Sequence, residues 1–143
     1  MKKLFFSVLV VSALFTNCKK KDDAATTCDA TVAGIAANYK ITKKVFVTTG
    51  GSIDVTTTQF DACQLAGVYQ LKSDKTIIYT ETGASCTGSN TGTWDVVSGK
   101  ITLSGGSLDL TGTANSVANN CSNIVITEDL GSGSSEVYTL TKQ

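Results

Sequence analysis

Cysteine is the residue type with the most chemical potential in this sequence, and five cysteines are present. One of them, Cys18, lies just after an apolar segment near the N-terminus. The other four form an even set, which in an exported chain predicts two disulfides in one of three connectivities. A zinc site is the poorer interpretation because the sequence has no Cys-x-x-Cys pair and no histidine. These four residues are Cys28, Cys63, Cys86 and Cys121.

Residues suited to acid–base or nucleophilic catalysis are scarce. Histidine, whose ordinary pKa lies near neutral pH, is absent. Glu81 and Asp95 are expected to be surface charges on strands, and Glu128 and Asp129 are neighbours in a solvated segment instead of a pair flanking a substrate. The GSGSS run at 131–135 has no lysine and no following helix, so it predicts a linker and not a phosphate-binding loop. We therefore expect a protein that is not an enzyme and has neither a cofactor nor a metal site.

Composition narrows the remaining classes of function. The 143 residues include 12 lysines, no arginine and 12 acidic residues. A chain without arginine lacks the bidentate base reader of nucleic-acid-binding proteins, and its few scattered lysines make a weak phosphate-binding field, so we expect no nucleic-acid partner. Thr, Ser, Gly, Val and Ile dominate, which is typical of β-sheet. About 126 residues would remain after removal of an export signal, enough for one domain with a sizeable core.

The N-terminus has the features of an export signal. Lys2 and Lys3 precede an apolar run of twelve residues, Leu4–Phe15, which is too short to span a bilayer and has the length of a signal-peptide core. With Cys18 just beyond it, this arrangement resembles a bacterial lipoprotein signal, in which the cysteine is lipidated and begins the mature chain. A plain secretory signal with an incidental cysteine is the alternative. We expect residues 1–17 to be removed and Cys18 to carry a lipid anchor.

A charged segment of small residues follows this cysteine. Residues 18–27 contain three lysines, two aspartates and small side chains with nothing to pack against, so we expect a flexible, lipidated tether. Lys21-Asp22-Asp23 is similar to the signal that sends some Gram-negative lipoproteins to the outer face of the outer membrane, and a solvated spacer is the alternative. The predicted location is the outer membrane, with surface exposure as a further expectation. The folded domain is predicted at 28–143.

A hairpin around Ser73-Asp74-Lys75 is one of the two clearest local features. Alternation of apolar and polar residues predicts that Leu71 faces Ile77 and that Tyr69 faces Tyr79, with all four side chains on one face. Lys75 then occupies a turn position that prefers positive φ, where glycine would cost less. The pattern indicates two short antiparallel strands whose apolar face is buried.

A second hairpin is predicted further along the chain. A two-residue turn at Ser98-Gly99 pairs Val96 with Ile101 and Trp94 with Leu103. The intervening residues Thr93, Asp95, Lys100 and Thr102 then face the opposite side of the sheet. This hairpin therefore separates an apolar inner face from an outer face of hydroxyl and charged groups.

The segments before these hairpins are less regular. Asp29 is a candidate N-cap for a short helical turn that precedes Asn38. Tyr39–Val47 is predicted to be a strand with its odd-numbered residues inward and Lys43 as an irregularity. Residues 52–66 are predicted to form a longer connection with a helical turn, in which Phe60 acts as an apolar plug.

The whole pattern predicts an all-β domain. Leu108 and Leu110 continue the alternation, residues 111–120 are predicted to be a polar loop, and two more strands follow near 124–126 and 138–140. About eight short strands with no long helix favour an antiparallel up-and-down sheet that closes into a lipocalin-like barrel, because closure removes exposed edges. A β-sandwich is the alternative.

Several of these segments together resemble a known family, the small lipocalin-like lipoprotein domains of certain Gram-negative bacteria. The resemblance covers roughly residues 39–142 and implies a lipid anchor and a lipocalin-like fold. It implies no particular ligand, because fold alone does not determine function. The matching positions are Asp61-Ala62-Cys63, Tyr69, Leu71, Asp74, Cys86, Gly92-Thr93-Trp94 and Tyr138-Thr139-Leu140.

Five aromatic side chains are predicted to face the inside of the sheet. They either line a ligand cavity or simply fill the interior, since an eight-stranded barrel is just wide enough for one or the other. We expect a mostly filled interior, with Trp94 as the residue most suited to sense a ligand. The five are Trp94, Tyr69, Tyr79, Tyr39 and Tyr138.

The first hairpin also predicts a disulfide. Cys63 and Cys86 lie eleven and twelve residues on either side of Asp74, so the hairpin brings them together at its open end. Cys28 and Cys121 then pair by elimination.

Two roles fit the sequence. The first is a non-enzymatic binding module, tied to the membrane through Cys18, that holds a small apolar or glycan-derived ligand. The alternative is a structural or protein–protein interaction module of the cell surface, which would present loops such as 111–120 to another envelope component. A cavity that can hold a ligand favours the first role, and a filled interior with an exposed apolar patch favours the second.

Overall fold

The domain is all-β, as predicted. A computed structural model describes residues 28–106, 108 and 115–143, and in this part of the chain nine strands and three short helices occur. The predicted signal peptide 1–17, Cys18 and the tether 18–27 lie outside the described residues. The elements are α1 Val32–Ile35, β1 Ala37–Thr48, β2 Gly51–Asp54, α2 Thr56–Gln59, α3 Ala62–Ala66, β3 Val68–Leu71, β4 Thr76–Thr80, β5 Ser89–Val97, β6 Lys100–Ser104, β7 Ser116–Asn119, β8 Asn123–Gly131 and β9 Ser134–Lys142.

The strands form a single antiparallel sheet that is not closed into a barrel, so the predicted closure is wrong. The order is β6-β5-β4-β3-β1-β9-β8-β7, and β2 pairs with the second half of β1. The edge strands β6 and β7 meet without forming a ladder. Val117 N–H donates to Gly99 O over 2.9 Å, and the side-chain amide of Asn115 donates to Ile101 O over 3.3 Å. The two strands therefore touch through single contacts, and no β6–β7 ladder occurs among the described residues. The sandwich alternative fails as well, since there is one sheet and not two.

The inner face of the curled sheet holds the core. The apolar residues that alternate inward from both predicted hairpins are buried there, and the rings of Tyr69 and Tyr79 lie 4.7 Å apart between centroids. Phe60 lies between α2 and α3 and packs against this core, as predicted for an apolar plug. The aromatic and aliphatic side chains therefore fill the interior.

Both predicted hairpin registers are confirmed. Lys75 has φ 67°, the strained value expected for its turn position, and the second turn has φ 53° at Ser98 and 71° at Gly99. Positive φ at two successive turn residues matches the right-handed twist of the flanking strands. The observed pairs are Leu71 with Ile77, Tyr69 with Tyr79, Val96 with Ile101 and Trp94 with Leu103.

Two disulfides hold opposite ends of the sheet. Cys63 pairs with Cys86, and Cys28 pairs with Cys121, with Cα–Cα separations of 5.6 and 5.3 Å. The tether end, as we name it, comprises Cys28 and the turns at 72–75 and 97–100. The far end comprises the turns at 48–51 and 131–134 together with α2 and α3. The Cys28–Cys121 disulfide lies at the tether end and the Cys63–Cys86 disulfide lies near the far end.

Two local predictions fail near the N-terminus of the domain. The N-cap of α1 is Thr31 and not Asp29, because the Thr31 hydroxyl accepts a hydrogen bond from Gly34 N–H over 3.2 Å. In β1 the register shifts between Ile41 and Lys43, so the alternation reverses there. The inward residue after this bulge is Lys44, and the predicted inward orientation of Val45 and Val47 is wrong.

Two strands were missed. Residues 51–54 form β2, where a connection was predicted, and part of the predicted 111–120 loop is β7. In β7 only Val117 is a strong strand former, while Ala118 and Asn119 are depleted in strands, so composition gave a weak signal. Pairing with β8 overrides it.

Candidate functional site

A cavity on the outer face of the sheet, lined by both apolar and polar groups, is the candidate site that we consider in the described part of the chain. Its volume is about 440 Å³, within the range of small-ligand sites. We call it the Thr/Asp groove. Its lining residues come from the β3–β4 turn and from strands β4, β5 and β6: Asp74, Lys75, Thr76, Thr93, Trp94, Asp95, Thr102, Leu103 and Ser104.

The β3–β4 turn forms one wall of the Thr/Asp groove. Lys72 N–H donates to Thr76 O, and the Asp74 carboxylate accepts the N–H of Thr76, each over 2.9 Å. From the inside, Trp94 holds this turn with two hydrogen bonds of 2.9 Å, from its backbone N–H to Lys75 O and from its indole N–H to Lys72 O. This wall of the groove is therefore preorganised in the absence of a ligand.

The opposite wall is formed by strands β5 and β6. Gly92, on the inner face of β5, lies so close to the end of β6 that a Cβ there would collide with the carbonyl oxygen of Ser104. In the sheet register Thr93 faces Ser104, and Asp95 faces Thr102.

An exposed ion pair crosses the groove. Lys75 Nζ lies 2.8 Å from Asp95 Oδ2, and the other carboxylate oxygen of Asp95 accepts the N–H of Val96 over 2.8 Å. The hydrogen bond from Lys75, followed by that from Val96, lowers the pKa of Asp95 below its ordinary value. The pKa of Asp74 is lowered as well, first by the backbone N–H of Thr76. Both carboxylates are therefore ionised at neutral pH.

This arrangement is suited to polyhydroxyl ligands. Two carboxylates accept hydrogen bonds from vicinal hydroxyl groups, and the threonine and serine hydroxyls both donate and accept. The outward position of Thr93, Asp95 and Thr102 was predicted from the second hairpin, so the sequence carried part of the signal. Thr76 and Ser104 were missed, because only the sheet register places them beside these residues.

All five predicted ligand-facing aromatic side chains are buried in the interior. Tyr39 donates its hydroxyl to Ile35 O over 2.7 Å, and burial raises the pKa of Tyr39. Trp94 alone among the five also borders the Thr/Asp groove, through its strand. The five side chains therefore form part of the packed interior. Trp94 is the one of the five whose fluorescence is best placed to report binding in the groove.

A buried cluster near the far end was not predicted at all. The β1 bulge turns Lys44 inward, where its ammonium group lies 2.8 Å from Glu136 Oε2. The ammonium group also lies over the rings of Tyr138 and Phe60, at 4.7 and 5.9 Å from their centroids. Tyr138 donates its hydroxyl to the same Glu136 oxygen over 2.5 Å. The Glu-x-Tyr spacing, which puts both side chains on one face of a strand, was the available signal.

Electrostatics within this cluster stabilise one charge state. Burial alone would raise the pKa of Glu136, but the hydrogen bonds from Lys44 and Tyr138 outweigh it and lower the pKa below its ordinary value. Burial first, and then the hydrogen bond to Glu136, raise the pKa of Tyr138 far above its ordinary value. The cluster is thus a satisfied set of an ammonium, a carboxylate and a neutral phenol, which serves packing.

Within the described ranges, no group of three or more His, Cys, Asp or Glu side chains is arranged to hold a metal ion. The helices of the same part of the chain are all too short to cross a membrane. In comparisons with known proteins, no family model, no curated protein and no solved structure matches this chain.

Proposed function

We propose that this protein is a lipid-anchored envelope protein whose β domain binds a glycan-derived ligand in the Thr/Asp groove without converting it chemically. The observation that carries the proposal is the groove itself, which combines two ionised carboxylates, a lysine and four hydroxyl side chains in about 440 Å³. Such a set recognises neighbouring hydroxyl groups, which are the common feature of sugars. The absence of histidine from the whole sequence supports binding over acid–base catalysis.

The interior offers less support for a small apolar ligand. Trp94, Tyr69, Tyr79, Tyr39 and Tyr138 are packed against one another and against aliphatic residues. A ligand there would have to displace well-packed side chains, which costs free energy. The glycan-derived ligand is therefore the version of the binding role that we retain.

The anchor and the location rest on the N-terminal sequence. The apolar run Leu4–Phe15 followed by Cys18 supports lipidation, and Lys21-Asp22-Asp23 supports export to the outer face of the outer membrane. The resemblance to lipocalin-like lipoprotein domains points the same way and stays a prediction. Replacing Cys18 by alanine should leave the protein unprocessed or release it from membranes. A Cys18→Ala chain that is processed and still fractionates with membranes would overturn the anchor.

The binding role is tested by titration with soluble sugars. Muropeptides and lipopolysaccharide core oligosaccharides are added while Trp94 fluorescence and the heat of binding are followed. Asp95→Asn should weaken binding at least tenfold, because hydrogen bonds to a charged acceptor are stronger than those to a neutral one. Asp129→Asn, an exposed carboxylate change at the far end, is the matched control. Equal affinities of the two variants would place the ligand elsewhere, and release of a cleaved product would show an enzyme.

One observation favours the second role, a protein–protein module. Ile53 and Leu130 are 66% and 50% exposed at the far end, on neighbouring hairpins. These hairpins touch, since a Cβ at Gly133 would lie 2.9 Å from Thr49 Cγ2. An Ile53→Ser/Leu130→Ser chain that loses a cross-linked envelope protein in cells, with unchanged sugar binding, would support this role.

A further inference from the structure

Cys28, where the predicted tether joins the domain, lies close to the Thr/Asp groove. The outer edge of β7 receives two neighbours, Cys28 at Asn119 and the β5–β6 turn at Val117. Cys28 N–H donates to Asn119 O over 2.8 Å, and Val117 N–H donates to Gly99 O over 2.9 Å. Residues two apart on a strand are separated by about 7 Å, so Cys28 lies about that far from Gly99 along this edge. The Cys28–Cys121 disulfide fixes the position.

The groove itself lies just beyond this turn. Thr102, which lines the groove, is three residues from Gly99, a distance of about 10 Å along β6. From Cys18 to Cys28 the chain spans at most about 35 Å when fully extended, and less when it is coiled. A lipid on Cys18 would therefore keep the tether end, and with it the groove, within about 35 Å of the membrane surface. When the tether end faces the membrane, the far end, at the other end of the twelve-residue strand β1, points away from it.

The side chains of the tether end suit contact with a membrane surface. Val97 is 65% exposed at the end of β5, and Lys100 is its cross-strand partner on the other side of the β5–β6 turn. The adjacent β3–β4 turn contributes Lys72, while its Lys75 is paired with Asp95 in the groove. An exposed apolar side chain beside lysines is a combination that rests at the lipid–water interface.

We propose that the ligand of the Thr/Asp groove is the sugar headgroup of a lipid in the same membrane that holds the chain's own anchor. This inference rests on the proposed function, because it names the source of the glycan that the groove binds. The headgroup hydroxyls bind to Asp95 and the threonine hydroxyls while the acyl chains stay in the bilayer. Confinement of protein and lipid to one surface raises their effective concentration, so a weak sugar site is sufficient.

Orientation is tested first and needs no ligand. The mature lipidated chain is reconstituted into vesicles of phosphatidylethanolamine and phosphatidylglycerol, with an environment-sensitive fluorophore on Val97→Cys or, as the matched control, on Ile53→Cys. Free thiol counts on both variants verify that the two disulfides are intact. The label at Val97 should shift its emission to the blue and become accessible to a headgroup quencher, while the label at Ile53 should not change. Equal responses of the two labels would overturn the orientation and with it the inference.

The ligand is tested with a glycolipid and its free headgroup. Glucosyl diacylglycerol in the same vesicles and soluble glucosyl glycerol are titrated, with Trp94 fluorescence as the readout. We expect binding of both, at least tenfold tighter for the glycolipid, and a loss of both in Asp95→Asn but not in Asp129→Asn. Binding of the free headgroup with no gain in vesicles overturns the inference and leaves the proposed function standing. If neither the glycolipid nor its free headgroup binds but muropeptides do, the inference is likewise overturned and the proposed function stands. If no sugar binds at all, both the inference and the proposed function are overturned.

Discussion

Two lysine–carboxylate pairs of equal length lie at opposite ends of this molecule. Lys44 Nζ and Lys75 Nζ are each 2.8 Å from their carboxylate partners, Glu136 and Asp95. The side chains of the first pair are 10% and 17% exposed, and those of the second are 54% and 34% exposed. The N–O distance is therefore the same in both pairs, but their exposure to water differs. Because of this difference, the two pairs have different physical roles.

The buried pair is committed to structure. Both charges have left water, and Glu136 compensates by accepting hydrogen bonds from Lys44 and Tyr138 under the cover of Phe60. Removing one partner would leave a buried charge with nothing to balance it. The exposed pair contributes little to stability, because water solvates either partner when the other is absent. A ligand group can therefore replace either partner of the Lys75–Asp95 pair at little cost in free energy.

Loss of either disulfide is expected to have the largest effect on stability. Loss of Cys28–Cys121, which closes a sequence separation of 93 residues, should lower the free energy of unfolding by about 4.5 kcal/mol in the chain-entropy model. Loss of Cys63–Cys86, with a separation of 23, should cost about 3.5 kcal/mol. Paired Cys→Ser chains are compared by urea denaturation. A larger loss for the Cys63–Cys86 pair would contradict this ranking.

Replacing Lys44 by methionine breaks the buried pair. We expect a loss of about 3 kcal/mol or more in the free energy of unfolding, because Glu136 stays buried without its cation. The double variant Lys44→Met/Glu136→Leu should recover much of this loss, since no charge is then left behind. Denaturant titration of both chains measures the effect. A Lys44→Met chain as stable as the parent would show that this cluster is solvated.

Acid should weaken the far end through Glu136. The folded-state pKa of Glu136 is lowered, so its contribution is fully present above the unfolded value of about 4.3 and is lost as the pH falls through the lower folded value. Over that window the unfolded state binds more protons, and stability decreases with decreasing pH. Glu136→Gln should flatten this part of the stability curve, measured by denaturation between about pH 3 and 6. Asp129→Asn, on the same hairpin, is the control, and an unchanged slope in Glu136→Gln would contradict the prediction.

Replacing Lys75 by methionine should have the smallest effect on stability. We expect little change in the free energy of unfolding, because the pair is exposed and Asp95 keeps its hydrogen bond from Val96 N–H. The same denaturant titration that is used for Lys44→Met gives a direct comparison. A loss of stability as large as that of Lys44→Met would show that the buried and the exposed ion pair contribute equally to stability.

The sequence predicted the local parts of the fold well. Alternation and turn residues are properties of adjacent residues, so the registers at Lys75 and at Ser98-Gly99 followed from them. The Cys63–Cys86 disulfide follows from the first hairpin, because its strands bring the two thiols together. The outward row that contains Asp95 and Thr102 was visible for the same reason.

The remaining features were decided only by tertiary structure. Lys44 is inward because a bulge fits β1 to β9, and its partner Glu136 is distant in sequence, so no local pattern carries that contact. The edge strands β6 and β7 meet through the Asn115 side-chain amide and Ile101 O but form no ladder among the described residues, and alternation alone did not predict this. Thr76 and Ser104 reach the groove only through pairing of β4 and β6 with β5. Such contacts depend on which distant segments meet, and that choice is made by burial of the shared core and not by any short run of residues.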